Sequence, residues 1–270
     1  MPITLSPNNL GLDWIVPDWP APRGVNACTT TRRGGMSLAP YDTMNLAAHV
    51  GDSTQAVLEN RKRLKQNLGL PAQPVWLDQV HGTQVIDVAS LPTGLGSTPQ
   101  ADAAYITRAG LVCAILTADC LPILLCDRAG THVVAVHAGW RGLAAGVIEA
   151  TVAALKIAPA ELMAWMGPAI GPQSFEVGAE VREIFLQHDN AAASAFVPST
   201  RQPATLLAIS LGDTPRWCAD IYRLAQLRLA ALGVQHVYGG NYDTFSDARF
   251  YSYRRAGVTG RMATLIWLDE

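Results

Sequence analysis

Lysine is scarce in this chain. Three lysines (Lys62, Lys65 and Lys156) and seventeen arginines make up its 20 basic residues, and the net charge is -2. That balance leaves no basic surplus of the kind that binds nucleic-acid phosphates. The arginine bias itself suits planar, bidentate recognition of phosphate or carboxylate. Charge is sparse at 16%, against 49% hydrophobic residues. Such a composition supports a large core and excludes extended disorder. No apolar run reaches the roughly 20 residues that cross a bilayer. The start, "MPITLSPNNLGLDWIVPDWP", lacks a basic stretch followed by an apolar one, so no signal peptide is expected. The five cysteines, Cys28, Cys113, Cys120, Cys126 and Cys218, are odd in number and irregularly spaced. They are expected to be reduced thiols in a cytoplasmic protein rather than a disulfide framework. Neither GxGxxG nor a Walker loop occurs, which excludes the common dinucleotide and P-loop signatures.

What is present is a mixture of strand and helix patterns without regular alternation. "DSTQAVLENRKRLKQNLGL" has a capping residue at Asp52 or Ser53, helical apolar spacing and a stop at Gly69. "QPVWLDQVHG" reads as a strand ending at His81, with "TQVIDVAS" as its hairpin partner. "LPTGLGSTPQ" reads as a surface loop. "DAAYITR", "LVCAILTA", "PILLCD" and "HVVAVHAG" are continuous apolar runs, as strands buried on both faces require. "GLAAGVIEATVAALKI", "EVGAEVREIFLQH" and "PRWCADIYRLAQLRLAALG" read as helices, the last starting at Pro215. "LMAWMGPAIG", "VQHVYGG", "RFYSYRR" and "MATLIWL" read as strands. The pattern favours a layered α+β fold over a doubly wound sheet, in one domain spanning residues 1–270.

Three residues share one context. His81 precedes Gly82, Cys120 follows Ala118-Asp119 between two apolar runs, and His137 ends a run before Ala138-Gly139. Brought to one sheet edge, they would supply the three N/S ligands of a catalytic zinc site, with a fourth position open. Asp119 would orient one histidine through its second ring nitrogen. The alternative is a buried cysteine acting as a small hydrophobe, with two histidines bonded to backbone. Spacing alone leaves both readings standing. His132 starts the strand that His137 ends and belongs at the other end of the sheet. Arginines cluster in the same segments: Arg32 and Arg33, Arg141, and Arg254, Arg255 and Arg261 around "AGVTG".

The segments "TTRRGGMSLAPYDTMNLAAHVGD", "LENR", "WLDQVHG", "ADA", "TADCLPILL", "VHAGWRGL", "GPAIG" and "RFYSYRRAGVTGRMATLIWL" together resemble the YfiH family, also called the laccase-domain or multicopper polyphenol oxidase family. The resemblance runs from about residue 12 to 268. It implies layered mixed sheets flanked by helices, related in fold to cysteine hydrolases, and zinc held by His81, Cys120 and His137. It also implies phosphorolysis of adenosine, inosine, guanosine and methylthioadenosine, and deamination of adenosine. Some members are described as peptidoglycan editing factors. For deamination, Asp119 is the expected proton shuttle. For phosphorolysis, Arg32, Arg141 and Arg255 are expected to hold phosphate, Asn45 and Gln79 the ribose or base, and Tyr251 to stack on the purine. The partners expected are a small nucleoside and phosphate, with no nucleic acid and no membrane, on a monomer or weak homo-oligomer. A blue-copper centre with a trinuclear cluster needs more than the six histidines present. Polyphenol oxidation is therefore expected only after copper loading of the same ligands. A thiol hydrolase with Cys120 as nucleophile and His137 as base, acting on a cell-wall amide, is the competing enzyme class. A brace role for zinc, without catalysis, is the other. Asp243 stands where many members carry cysteine, and Ala256 where aspartate is usual.

Overall fold

A computed structural model describes residues 12–92, 98–200 and 215–269. Residues 1–11 of the N-terminal segment and 93–97 of the Gly/Pro-rich loop lie outside the described residues.

Two large sheets face each other. One has the order β1 (Trp14–Ile15), β2 (Val25–Thr30), β13 (Met262–Leu268) and β5 (Val112–Thr117). The other has the order β12 (His236–Gly239), β8 (Leu162–Met166), β6 (Leu121–Asp127), β7 (Val133–Ala138), β4 (Ala103–Ile106) and β3 (Val85–Asp87). A small third sheet runs β10 (Phe196–Pro198), β11 (Trp217–Ala219) and β9 (Glu176–Val177).

The six-stranded sheet is the middle layer, and its sequence shows why. Side chains alternate faces along a strand. Leu124, Cys126, Val133, Ala135 and Trp165 face a core shared with the four-stranded sheet and with Leu64 and Leu68 of the Thr54–Leu68 helix. Ile123, Leu125, Val134, Val136 and Met166 face a second core, against the 147–155 and 221–232 helices. Both faces of the inner strands are covered, so β6, β7 and β8 are apolar along nearly their whole length.

The Thr54–Leu68 helix starts at Ser53, whose side chain accepts from Ala56 N, and ends at Gly69 in the left-handed region. Five local readings need correction. "QPVWLDQVHG" forms no strand but a loop with isolated bridges at Val75 and Asp78. Consequently Val85–Asp87 has no hairpin partner there and pairs in parallel with β4. The helix read through Gly146 is broken at that glycine, which has φ 99°. Pro215 does not start the next helix. Trp217–Ala219 is a strand, and Asp220 caps the Ile221–Leu232 helix by accepting from Arg223 N. Finally, "RFYSYRR" is not a strand. Ser252 caps a short helix, Tyr253–Ala256.

Asp243 braces the turn after β8. Its Oδ1 accepts from Gly171 N (2.8 Å) and Phe245 N (3.0 Å), and its Oδ2 from Ser174 Oγ (2.7 Å) and Ser246 Oγ (3.0 Å). It thus ties the turn after β8 to the 243–246 loop. Burial disfavours its charge, but these donors outweigh burial and hold the carboxyl below its ordinary value. Its contribution is therefore complete above about pH 4 and is lost as pH falls below that. Asp243→Ala is expected to lower unfolding free energy by about 2–3 kcal/mol at neutral pH, as bonds to a charged acceptor do. Urea titrations at several pH values check this, and the deficit should shrink in acid. Ala256 is an exposed residue ending the short helix.

Candidate metal centre and cleft

Chain crossover from one large sheet to the other creates the site. β5 ends at Thr117, the chain bends through Ala118–Cys120, and β6 starts at Leu121. Leu121 pairs with Ala138 and Pro122 with His137, so Cys120 lies beside the end of β7. His81 arrives from the loop rather than from a strand end. The ligand atoms of His81, Cys120 and His137 all lie within 4.8 Å of one another. The two imidazole rings meet edge to face, with centroids 4.8 Å apart.

The group that organises this cluster is Asp102, which the sequence reading passed over. It is fully buried. Its Oδ1 accepts from His137 Nδ1 at 2.8 Å and from His81 N at 2.9 Å. Its Oδ2 accepts from Gly82 N at 2.7 Å and Val80 N at 3.3 Å. One carboxylate therefore fixes the His137 ring and gathers three successive amides of the loop that carries His81. With Nδ1 engaged, His137 presents Nε2 as its free ligand atom. The same grip holds His81 at φ 59°, a left-handed conformation that side-chain-bearing residues rarely adopt. Asp119 is held similarly at φ 95°. Two strained positions at one cluster are what a built site shows.

Asp119 is not the orienting carboxylate. Its Oδ1 accepts from Thr244 Oγ1 at 2.6 Å, and its Oδ2 from Ser252 Oγ at 3.1 Å and Arg254 N at 2.6 Å. It shapes the bend and anchors the short helix at residue 253. Burial alone would lower the His137 imidazole, but the Cys120 sulfur and the Asp102 hydrogen bond outweigh it and push the group up to about 9. His81 moves the other way, lowered by burial and by the charge of His137. Elsewhere burial pushes the Cys28 and Cys126 thiols up to about 12, which makes them packing residues.

The donor set fits a borderline-soft ion such as zinc: two imidazoles and one sulfur, with a carboxylate behind one imidazole. The backbone makes room for it at Gly139. A Cβ built there would stand 2.5 Å from His81 Nδ1 and 3.2 Å from Cys120 Sγ. Gly139→Ala is expected to lower metal affinity at least tenfold, roughly the lower bound for a disturbed ligand shell. Competition with a chromogenic chelator measures it.

The triad opens on a cleft of about 550 Å³. Gln79 and Arg141 of the expected residues line it. Gln79 is braced by Leu116 through both its amide groups, and Arg141 stacks over Trp140 with no hydrogen bond among the described residues. Arg254 and Arg261 complete a set of three arginines in the wall. The other expected residues stand outside the cleft lining, each with its polar groups already engaged. Arg32 donates to Asp42 O and Oδ2 and lies over the Tyr251 ring. Tyr251 is buried and donates to Tyr41 O. Arg255 donates to the carbonyls of Thr244, Phe245 and Phe250. Asn45 is buried and accepts from Arg261 N. Two residues without an assigned role in the sequence, His49 and Tyr253, line the cleft instead. His132 bonds Thr131 at the far end of β7, as expected.

A three-ligand N/S cluster lining a cleft, set in a layered α+β frame, is a candidate metal site of the kind enzymes use. Residues 26–269 match the family described as multi-copper polyphenol oxidoreductase laccase, and the chain belongs to that family. Its relatives narrow this further. It is 53% identical over 258 residues to the purine nucleoside phosphorylase PA4543 of Pseudomonas aeruginosa, covering 95% of this chain and 99% of that protein. It is 51% identical over 255 residues to the purine nucleoside phosphorylase YfiH of Escherichia coli, covering 94% and 98%. Among solved structures it is similar to NMB0706 of Neisseria meningitidis, with TM-score 0.84, 46% identity and 95% and 99% coverage. It is also similar to YlmD of Geobacillus stearothermophilus, with TM-score 0.81, 30% identity and 98% coverage of each chain.

Proposed function

We propose that this chain is a zinc-dependent purine nucleoside phosphorylase whose site is the His81/Cys120/His137 cleft. The observation that carries the reading is the pairing of that triad with Arg141, Arg254 and Arg261 in one cleft wall. Relatives more than half identical to it bear the name of that activity. Phosphorolysis requires an anionic nucleophile to be held against C1′ of the ribose while the purine leaves. Guanidinium groups supply that hold bidentately. Arg141 is the strongest candidate, since it has no other hydrogen-bond partner among the described residues. Arg254 already donates to Glu176 O, and Arg261 to Thr259 O and Gly260 O, so each offers its remaining N–H groups. Tyr253, exposed on the cleft wall, takes the stacking role that buried Tyr251 does not fill. Adenosine, inosine, guanosine and methylthioadenosine are the substrates proposed.

When bound, zinc supplies Lewis-acid polarisation at the open side of the triad. Asp102 fixes the His137 ring for that purpose. Deamination of adenosine in the same cleft is the second reading, favoured by all three ligand residues lining the cavity. A copper ion on the same ligands would give oxidase activity unrelated to the nucleoside reaction. A zinc-bound Cys120 sulfur is unavailable as the nucleophile of a thiol hydrolase, so metal content separates that class.

The test is inosine with phosphate, followed by chromatography. Hypoxanthine and ribose-1-phosphate in equal amounts are expected. Free ribose, or no turnover by protein carrying its metal, would contradict the reading.

A further inference from the structure

The cleft poses a question of proton traffic. When a phosphate oxygen bonds C1′ and the C1′–N9 bond breaks, the electron pair stays on the purine. Monohydrogen phosphate must lose its proton and the departing purine must gain one. A side chain placed between the two can carry it faster than bulk solvent.

The wall offers few groups for the task. His81, Cys120 and His137 are the metal triad. Asp119 has both oxygens taken by Thr244, Ser252 and the Arg254 amide. Asp102 is fully buried behind His137. His49 differs from all of them: it lines the cleft, is exposed, and makes no hydrogen bond or ion pair among the described residues.

His49 is also held in place from behind. Asn45 Oδ1 accepts from Ala47 N at 3.0 Å and from Arg261 N at 3.0 Å. Asn45 Nδ2 donates to Ala47 O and to Asp52 Oδ2, and Asn60 donates to Asn45 O. This buried network locks the 45–52 turn to the start of β13, so the loop bearing His49 and the segment bearing Arg261 share one anchor. Asn45 is thus a positioning residue rather than a substrate contact.

We propose that His49 is the acid–base residue of the nucleoside reaction, taking the proton from monohydrogen phosphate and delivering it to the departing purine. Each turnover returns the imidazole to its starting form, so no further reactant is needed. The groups facing the ring agree with this role. Burial and the charge of Arg261 lower its proton affinity, Asp78 opposes them, and Arg61 adds to the lowering. A neutral imidazole at pH 7 can accept the phosphate proton.

This inference rests on the phosphorylase reading, and the test separates the two. Wild type, His49→Gln and His49→Ala, each with metal content verified, are compared on guanosine and on 7-methylguanosine. The methylated base carries a positive charge and leaves without being protonated. With guanosine, both variants are expected to lose roughly 10²-fold or more in kcat, the usual scale of general acid–base catalysis. With 7-methylguanosine the loss should be at least tenfold smaller, roughly the relief expected when one proton transfer is bypassed. Calorimetric affinity for guanosine should stay unchanged. The acid limb of the wild-type kcat/KM profile should be absent in His49→Gln. Equal losses on both nucleosides, or variants that turn over guanosine like wild type, would overturn the role of His49. A wild type inactive on both nucleosides would instead overturn the phosphorylase reading itself.

Discussion

Cys120→Ala is expected to lose bound metal and, with it, nucleoside turnover. Cys120 is the one sulfur in the cluster, and the bend between β5 and β6 exists to present it beside the end of β7. Removing it leaves two imidazoles from different segments, too few for a catalytic zinc site, which uses three protein ligands. Metal analysis should fall from about one ion per chain to near zero, and kcat/KM by about 10³-fold or more, the scale on which loss of a whole catalytic group registers. Thermal stability of metal-free protein should change little, because Cys120 is only half-buried. A variant that kept its metal would place the ion elsewhere. A variant that kept its metal and lost turnover would restore the case for a nucleophilic thiol.

Asp102→Asn carries the second large effect, for a different reason. The carboxylate is fully buried and accepts from His137 Nδ1 and from the amides of residues 80, 81 and 82. An amide of the same shape keeps one carbonyl acceptor and turns an NH2 group toward the remaining donors. Metal affinity is expected to fall roughly 10–100-fold, as for other groups that orient a metal-binding imidazole. Stability should fall by about 1–3 kcal/mol for the buried donors left unpaired. Chelator competition and urea unfolding measure the two separately. Unchanged affinity with lowered stability would make Asp102 a folding residue alone.

Much of the frame was legible because it follows from local rules. Continuous apolar runs at Val112–Thr117, Leu121–Asp127 and Val133–Ala138 announced strands covered on both faces, and both cores are there. Ser53 and Gly69 bounded a helix by capping chemistry alone. Strand ends marked Cys120 and His137, but spacing alone left a metal site and a packing role both open, and only the family resemblance joined His81 to them in one site. The errors fall where tertiary contacts override pattern. "QPVWLDQVHG" alternates like a strand, but Asp102 gathers the amides of residues 80–82 into a loop in which His81 is left-handed. "RFYSYRR" alternates too, yet Ser252 caps a turn of helix whose Arg254 amide meets Asp119. Asp102 lay in plain view in "ADA", but nothing local shows that a carboxylate 21 residues from His81 will reach both histidines. The arginines show the same limit. Arg32 and Arg255 stand in motif segments but spend their guanidinium groups on backbone carbonyls and Asp42, whereas Arg261 reaches the cleft.

The most direct measurement is zinc-loaded protein with adenosine, with and without phosphate, its products separated by chromatography and Cys120→Ala run alongside. The account predicts adenine that requires phosphate and disappears in the variant, with any inosine lost in parallel. Zinc-loaded protein that leaves adenosine untouched, or a Cys120→Ala variant that still releases adenine, would contradict it.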